Sequence, residues 1–308
     1  MTLQLNVQAF ISEVLNQTRN YLTALDSKQY KEVERQSWNN VAAAWQKWWK
    51  TIERGTEAVS RRLVELAEIK PGSKVLDIAT GIGEPALTAA KQVGKSGQVL
   101  ATDISPQMLS FAKQRAISLG LQDVIEFKEG DAETIDLPPS TFDAALCRWG
   151  LMLIPDPKAG LSNIYKSLVN GGHFAAAVWA SPDKVPFLFV PMNTVLKETN
   201  SPPPPSGTPG PFSMSDQNSL KNFYVTSGFI DPAIERMNVV FDFDSSDDFT
   251  TFSIEHGGPT LQKMLAGQTN ERREEIFKAI SKAAEKYADN TTGKVRLENE
   301  AILIVGRK

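Results

Sequence analysis

Along the first seventy residues apolar side chains recur at helical intervals. Val41, Trp45, Trp48 and Ile52 are spaced to share one face, and a second stripe, Val59, Leu63 and Leu66, runs up to Pro71-Gly72, where a helix has to stop. The pattern predicts helices there. Beyond that point the rhythm changes: short apolar runs at 75–78, 98–103, 124–128, 142–147 and 173–179 alternate with amphipathic stretches. Such an alternation belongs to a parallel sheet covered by helices on both faces. The intervening helices are well punctuated. Ser105-Pro106 and Asp156-Pro157 each supply a capping side chain and a proline at the first helical position, Gly120 closes the first helix, and Gly171-Gly172 is expected to close the second. Successive strand–helix units make a right-handed doubly wound sheet the natural solution.

After Ala180 the rhythm breaks at Pro202 to Pro205 and again at Pro209-Gly210-Pro211, a stiff extended segment that suits either a surface spacer or the rim of a site. A helix from about Asp216 to Ser227 follows. Met237, Val239, Phe241 and Phe243 then alternate as in a strand, Asp247 to about Asp289 reads as mostly helical with a break at His256-Gly257-Gly258-Pro259, and Ala301 to Val305 closes the chain as a buried strand. The expected class is α/β: a doubly wound, mostly parallel, seven-stranded sheet with an N-terminal helical cap and a late helical insertion. Its expected divisions are a cap at 1–70, a ligand-binding core at 71–180 and, at 181–308, the rest of the core with substrate-side insertions.

Composition narrows the function. A hydrophobic fraction of 41% and a charged fraction of 22% are ordinary for a globular protein, and a net charge of −3 offers no basic field for a phosphate backbone, so nucleic acid is not an expected partner. The single cysteine, Cys147, rules out disulfides and cysteine–zinc clusters within the chain. With only His173 and His256 besides, no metal site is expected. Met1 to Phe10 lacks the basic start and apolar run of a secretory leader, and no stretch approaches the ~18 apolar residues of a membrane span, so a cytoplasmic location is expected.

Three strand ends carry the chemistry. The first strand runs into Asp77-Ile78-Ala79-Thr80-Gly81-Ile82-Gly83, a glycine loop whose backbone can approach a nucleotide-like ligand. Asp77 sits inside the strand, where a carboxylate needs a donor or a cation. Asp103 ends the second strand about 20 residues beyond Gly81, the offset at which an acidic side chain accepts ribose hydroxyls, in a mononucleotide or a dinucleotide. Gly130-Asp131-Ala132 follows the third strand and faces the same crevice. The loop lacks the third glycine of a pyrophosphate site, and Glu84 would repel a pyrophosphate.

Val75 to Pro85, Ala101-Thr102-Asp103-Ile104-Ser105, Gly130-Asp131-Ala132-Glu133, Phe142-Asp143-Ala144 and Arg148-Trp149-Gly150-Leu151-Met152 together resemble the class I S-adenosylmethionine-dependent methyltransferases, in their ubiquinone/menaquinone-biosynthesis-like small-molecule branch. The resemblance runs from about Trp38 to Trp179 and loosens afterwards. It implies a Rossmann-like methyltransferase sheet and S-adenosyl-L-methionine as cofactor. Asp77, Ala79, Thr80, Gly81 and Gly83 would then line the methionine end, Asp103 would hold the ribose, Ile104 and Met108 the adenine face, and Gly130, Asp131 and Ala132 the adenine edge. Arg148 would stand near the reacting centre.

For the acceptor the expectation is a small, mainly hydrophobic molecule, aromatic or quinol-like, methylated at oxygen, carbon or nitrogen. Trp45 and Trp49 share a helical face and, with Met152 and Met192, are the expected pocket residues; Phe187 and Phe189 could add to it. His256, in its glycine-flanked break, is the candidate general base, against the alternative of a solvent-facing loop histidine. Arg148 could recognise an acidic substrate group or pair with a buried carboxylate. His173 should lie at the far end of the sheet. An NAD-linked oxidoreductase and a cofactor-binding protein without turnover stay open as other readings, and oligomeric state is not legible.

Overall fold

The computed structural model describes the backbone of residues 2–205 and 207–308, and side chains from Lys28 onward except those of 206, 259 and 260. Met1, Ser206 and the side chains of residues 1–27, including the stretch from Met1 to Phe10, lie outside the described residues. In chain order the elements are α1 (Thr2–Leu66), β1 (Lys74–Ile78), α2 (Ala86–Val93), β2 (Gln98–Asp103), α3 (Pro106–Ser118), β3 (Ile125–Glu129), β4 (Phe142–Arg148), α4 (Pro157–Ser167), β5 (Leu168–Trp179), α5 (Pro186–Glu198), α6 (Gln217–Thr226), β6 (Ile230–Phe243), α7 (Ser246–His256), α8 (Pro259–Ala266), α9 (Asn270–Ala284) and β7 (Val295–Arg307).

The strands form one seven-stranded sheet in the order β3-β2-β1-β4-β5-β7-β6. β1 to β5 run parallel, β7 is antiparallel to β5, and β6 is antiparallel to β7. Helices cover both faces of the central strands, which is why β1 and β4 read as near-continuous apolar runs rather than alternations. One hydrophobic core extends from Ile52 and Leu63 of α1, through Leu76, Leu146 and Ala176, to Leu303. Among the described residues no helix is long and apolar enough to cross a membrane.

Punctuation read from sequence acts as expected at several ends. Ser105 Oγ accepts from the Met108 N–H at 3.1 Å ahead of α3, and Asp156 Oδ1 accepts from the Ala159 N–H at 3.0 Å ahead of α4. Three readings need correction. The two apolar stripes before residue 67 belong to a single helix, α1. Gly55 between them is set by packing: a Cβ there would stand 2.6 Å from the Phe241 ring, so its absence lets α1 lie close on β6. Gly171-Gly172 does not end α4; that helix stops at Ser167, and the glycines form an irregularity inside β5, where the register with β4 shifts. Finally, β6 and β7 are longer than their apolar cores indicated, because they pair with each other from Ile230 to Phe243 and satisfy their polar positions as a ladder.

Two devices fasten later elements around the sheet. Buried Asn299 of β7 accepts from the Phe187 N–H at 2.9 Å and donates to the carbonyls of Val239 and Leu297, both at 3.0 Å, which pins the start of α5 to β6 and β7. The proline-rich segment ends against the site: Gly210 N–H and Ser213 Oγ both donate to the Met152 carbonyl, at 3.0 and 2.7 Å. Residues 209–211 are therefore rim rather than spacer.

Candidate active site

A cavity of about 290 Å³ opens at the carboxyl ends of the parallel strands, walled by the loops after β1, β2, β3 and β4, by Trp179 at the end of β5, and by α1, α5 and α7. This is where a doubly wound sheet binds ligands, since the strand order reverses between β1 and β4.

The loop after β1 is held from the neighbouring strand. Thr80 N–H donates to the Thr102 carbonyl at 2.9 Å, and Gly81 N–H donates to Asp103 Oδ2 at 2.8 Å. Gly81 has φ 55°, and a Cβ there would meet nothing within 4 Å, so backbone conformation rather than crowding calls for glycine. Crowding does govern Gly150. A Cβ there would fall 2.4 Å from the Cβ of Ala79, so the loops after β1 and β4 touch at two of the smallest residues available.

The three carboxylates singled out in sequence converge on this region with different duties. Asp103 accepts on both oxygens, from Gly81 N–H and from Ser105 N–H, each at 2.8 Å; burial lifts its pKa to about 6 against the pull of these backbone donors. Asp77 does not line the cavity wall. It is fully buried beneath the loop, where Oδ2 accepts from the Ala86 N–H at the start of α2 at 3.0 Å, and burial raises its pKa to about 7 against the pull of the Thr80 hydroxyl and the Ala86 N–H. Gly83 likewise sits behind the wall, turned toward Leu87. Asp131 is tied down locally by the Glu133 N–H at 3.0 Å and reached from α1 by Lys31 Nζ at 2.8 Å. Ala79, Thr80, Ile104, Met108, Gly130 and Ala132 all reach the cavity.

Arg148 lines the cavity and is held by buried groups. Its Nη1 donates to Thr56 Oγ1 at 2.9 Å and to Ser60 Oγ at 2.7 Å, and stands 3.5 Å from Glu53 Oε1, all on α1. Thr56 and Glu53 share the cavity wall with it. Arg115 of α3 completes the cluster, 3.3 Å from Glu53 Oε2 and 3.9 Å from Glu84 Oε1.

The far wall is aromatic. Trp149 and Trp179 stack with ring centroids 4.4 Å apart, and Phe187 lies 4.2 Å from Phe241 in a second stack. Met152 and Met192 line this end, as expected, and so does Trp45, whose Nε1 donates to the His256 carbonyl at 3.2 Å. Trp49 does not line it. It turns toward α3, its ring 4.9 Å from the Arg115 guanidinium, because a cation over its face competes for the ring. Phe189 is partly exposed and also stays outside. His256 ends α7 inside the cavity wall, buried between Trp45 at 4.6 Å and Phe252 at 4.5 Å, and that burial pushes its pKa down to about 3. It is neither solvent-facing nor a group that takes up a proton near neutrality. His173 pairs with Arg307 across β5 and β7, at the opposite end of the sheet.

Sequence reasoning missed Glu53, Thr56, Trp149 and Trp179. The two tryptophans had a usable signal, since one follows β4 directly and the other ends β5; for the residues of α1 nothing local marks them.

A family model described as a methyltransferase domain matches residues 69–200. The chain is 29% identical over 178 residues to the ubiquinone/menaquinone biosynthesis C-methyltransferase UbiE of Pseudomonas putida, covering 55% of this chain and 70% of that protein. It is 30% identical over 141 residues to the demethylmenaquinone methyltransferase of Symbiobacterium thermophilum, covering 46% and 52%. Among solved structures, the YcgJ protein of Bacillus subtilis has a similar fold, with a TM-score of 0.54 at 18% identity over 82% of this chain and 98% of that one. The phosphoethanolamine N-methyltransferase 2 of Haemonchus contortus, solved with S-adenosylhomocysteine, gives 0.55 at 17% over 91% and 60%. With the glycine loop, the acidic strand ends and the 3-2-1-4-5-7-6 sheet in place, residues 69–200 match a methyltransferase domain, and the chain is similar to S-adenosylmethionine-dependent methyltransferases.

Proposed function

We propose that the chain transfers the methyl group of S-adenosylmethionine to a small, mainly apolar acceptor, aromatic or quinol-like, at oxygen, carbon or nitrogen. The observation that carries the reading is one continuous cavity with a polar, acidic end at Gly81 and Asp103 and an aromatic end at Trp149, Trp179 and Phe187. In this reading Asp103 accepts from the ribose, and Ile104 and Met108 cover the adenine. Gly130, Asp131 and Ala132 meet the adenine edge, with Ala79, Thr80, Gly81 and Arg148 along the methionine end and Asp77 and Gly83 shaping it from behind. The buried carboxyl of Asp77 behind the loop and Glu84 on the cavity wall suit a cationic donor and would penalise a phosphate. That chemistry fits the cofactor and counts against a pyrophosphate.

When bound, S-adenosylmethionine supplies an activated methyl on a good leaving group. The protein's work is then to align the acceptor and exclude water. Trp45, Met152 and Met192 would pack on the acceptor, and the aromatic end excludes water by its own area. His256, held neutral by burial, would orient an acceptor hydroxyl through a hydrogen bond rather than remove its proton. The relatives named for quinone biosynthesis support a quinol-like acceptor. Phe241 and His256, which help build that end, lie beyond the matched domain, so the acceptor is read from the cavity itself.

Incubation with methyl-labelled cofactor and a panel of quinols, catechols and phenols, set against polar amines, tests this. Label in the apolar aromatic compounds is expected; label confined to polar amines would contradict it. For His256→Ala we expect KM for the acceptor to rise by about tenfold, the loss of roughly one hydrogen bond. Its pH–rate profile should keep the wild-type shape between pH 5 and 8. A limb in that range that vanishes with the substitution would restore the general base.

A further inference from the structure

Helix α1 brings a carboxylate to the cavity as well as rings. Glu53 lies on the same wall as Thr80, Glu84 and Arg148. Its Oε2 accepts from Arg115 Nη2 at 3.3 Å, but its Oε1 is buried with no hydrogen-bond partner, although Arg148 Nη1 is only 3.5 Å away. That nitrogen is committed elsewhere, to the hydroxyls of Thr56 and Ser60. Two more buried oxygens lie in this corner, Oδ1 of Asp77, with no exposure at all, and Oγ1 of Thr80 on the cavity wall; the Thr80 hydroxyl is turned to the Asp77 carboxyl and helps hold its pKa down, which leaves Glu53 Oε1 as the lone acceptor facing the cavity. Buried acceptors are rarely left so.

The charges point the same way. Among the described residues Asp77, Glu53 and Glu84 stand with Arg115 and Arg148, three carboxyls to two guanidiniums, so in the empty site a proton held on Asp77 supplies the third positive charge, a place that a bound cation could take. The lone acceptor on Glu53 and the place for a cation are filled together by a primary ammonium, which donates hydrogen bonds and carries one charge. A hydroxyl or an amide would answer the first need and not the second.

We infer that Glu53 receives the ammonium of the cofactor's amino-acid end through Oε1, with Thr80 and Asp77 behind it, so that the N-terminal helix is part of the methyl-donor site. The assignment rests on the reading that S-adenosylmethionine occupies this cavity. It makes α1 more than a cover: the turn that clamps Arg148 through Thr56 and Ser60 also presents Glu53, so the guanidinium positions the carboxylate.

The test compares two ligands on three proteins by calorimetry: S-adenosylhomocysteine, which carries the ammonium, and 5′-methylthioadenosine, which lacks the amino-acid end. Glu53→Gln is expected to lose about 10- to 100-fold in affinity for S-adenosylhomocysteine, the worth of a hydrogen bond to a charged group, and to bind methylthioadenosine within about twofold of wild type. Glu53→Asp, which keeps the charge, should recover part of the loss, and thermal melts report that each variant is folded. Unchanged S-adenosylhomocysteine affinity in Glu53→Gln, or an equal loss for both ligands, would overturn the assignment. If wild type bound neither ligand, the cofactor reading would fall first and the role of Glu53 with it.

Discussion

Replacing Asp103 with alanine is expected to weaken S-adenosylhomocysteine binding by about 100-fold or more while the chain stays folded. In the proposed site its carboxylate takes both ribose hydroxyls, and hydrogen bonds to a charged acceptor contribute roughly 1.5–3 kcal/mol each. A second effect adds to the first. The same oxygens hold the Gly81 and Ser105 N–H groups at 2.8 Å, so the variant also frees the glycine loop that faces the ligand. Asparagine should rescue little. Its single acceptor oxygen serves one of the two N–H groups, and its amide sets a donor against the other. Calorimetry with both variants checks the expectation; an Asp103→Ala protein binding as tightly as wild type would remove the residue from the site.

The second large effect concerns stability against pH. Burial raises the folded-state pKa of Asp77 from 3.8 to about 7, with Arg148 pulling it down and Glu84 pushing it up. The folded protein therefore keeps a proton that the unfolded chain has released. Its stabilising contribution is complete below pH 4 and is lost as pH rises through about 7. At roughly 1.4 kcal/mol per unit of pKa difference, the loss is on the order of 4 kcal/mol. Asp77→Asn removes the titration and keeps an acceptor for the Ala86 N–H. Its denaturation midpoint should match that of wild type near pH 4 and exceed it at pH 8, both without cofactor. An equal deficit at both pH values would show that Asp77 acts through contacts alone. The wild-type carboxylate is thus a cost in the empty fold that a cation in the site would offset, as expected of a group retained for binding.

How much of this was legible depends on how local each signal is. β2 could be read to the residue, because an apolar run bounded by glycine and a capping serine contains its own limits. The same locality exposed the glycine loop, Asp103 and Asp131, each at or just beyond the end of a strand. Parts that depend on distant partners stayed hidden. Gly55 lies between the two apolar stripes of α1, and its need for glycine is set by the Phe241 ring far along the chain. Trp49 had the right helical phase for the cavity but not the knowledge that Arg115 would claim its ring. Gly171-Gly172 carried the composition of a helix stop, and pairing with β4 absorbed it as an irregularity inside a strand. Glu53 was unreadable for the same reason: its role is defined by Arg148, Arg115 and Thr80, which no spacing rule connects to it. His256 was noticed for its glycines, yet its protonation is set by burial between Trp45 and Phe252, which no spacing in the sequence shows.

The most direct test of the account is a crystal structure with S-adenosylhomocysteine bound. The account expects the ribose hydroxyls on Asp103, the adenine between Met108 and Ala132, the ammonium within hydrogen-bond distance of Glu53, and the sulfur facing the Trp149–Trp179 stack. An adenosine seated elsewhere, or a sulfur turned away from the aromatic end, would contradict it.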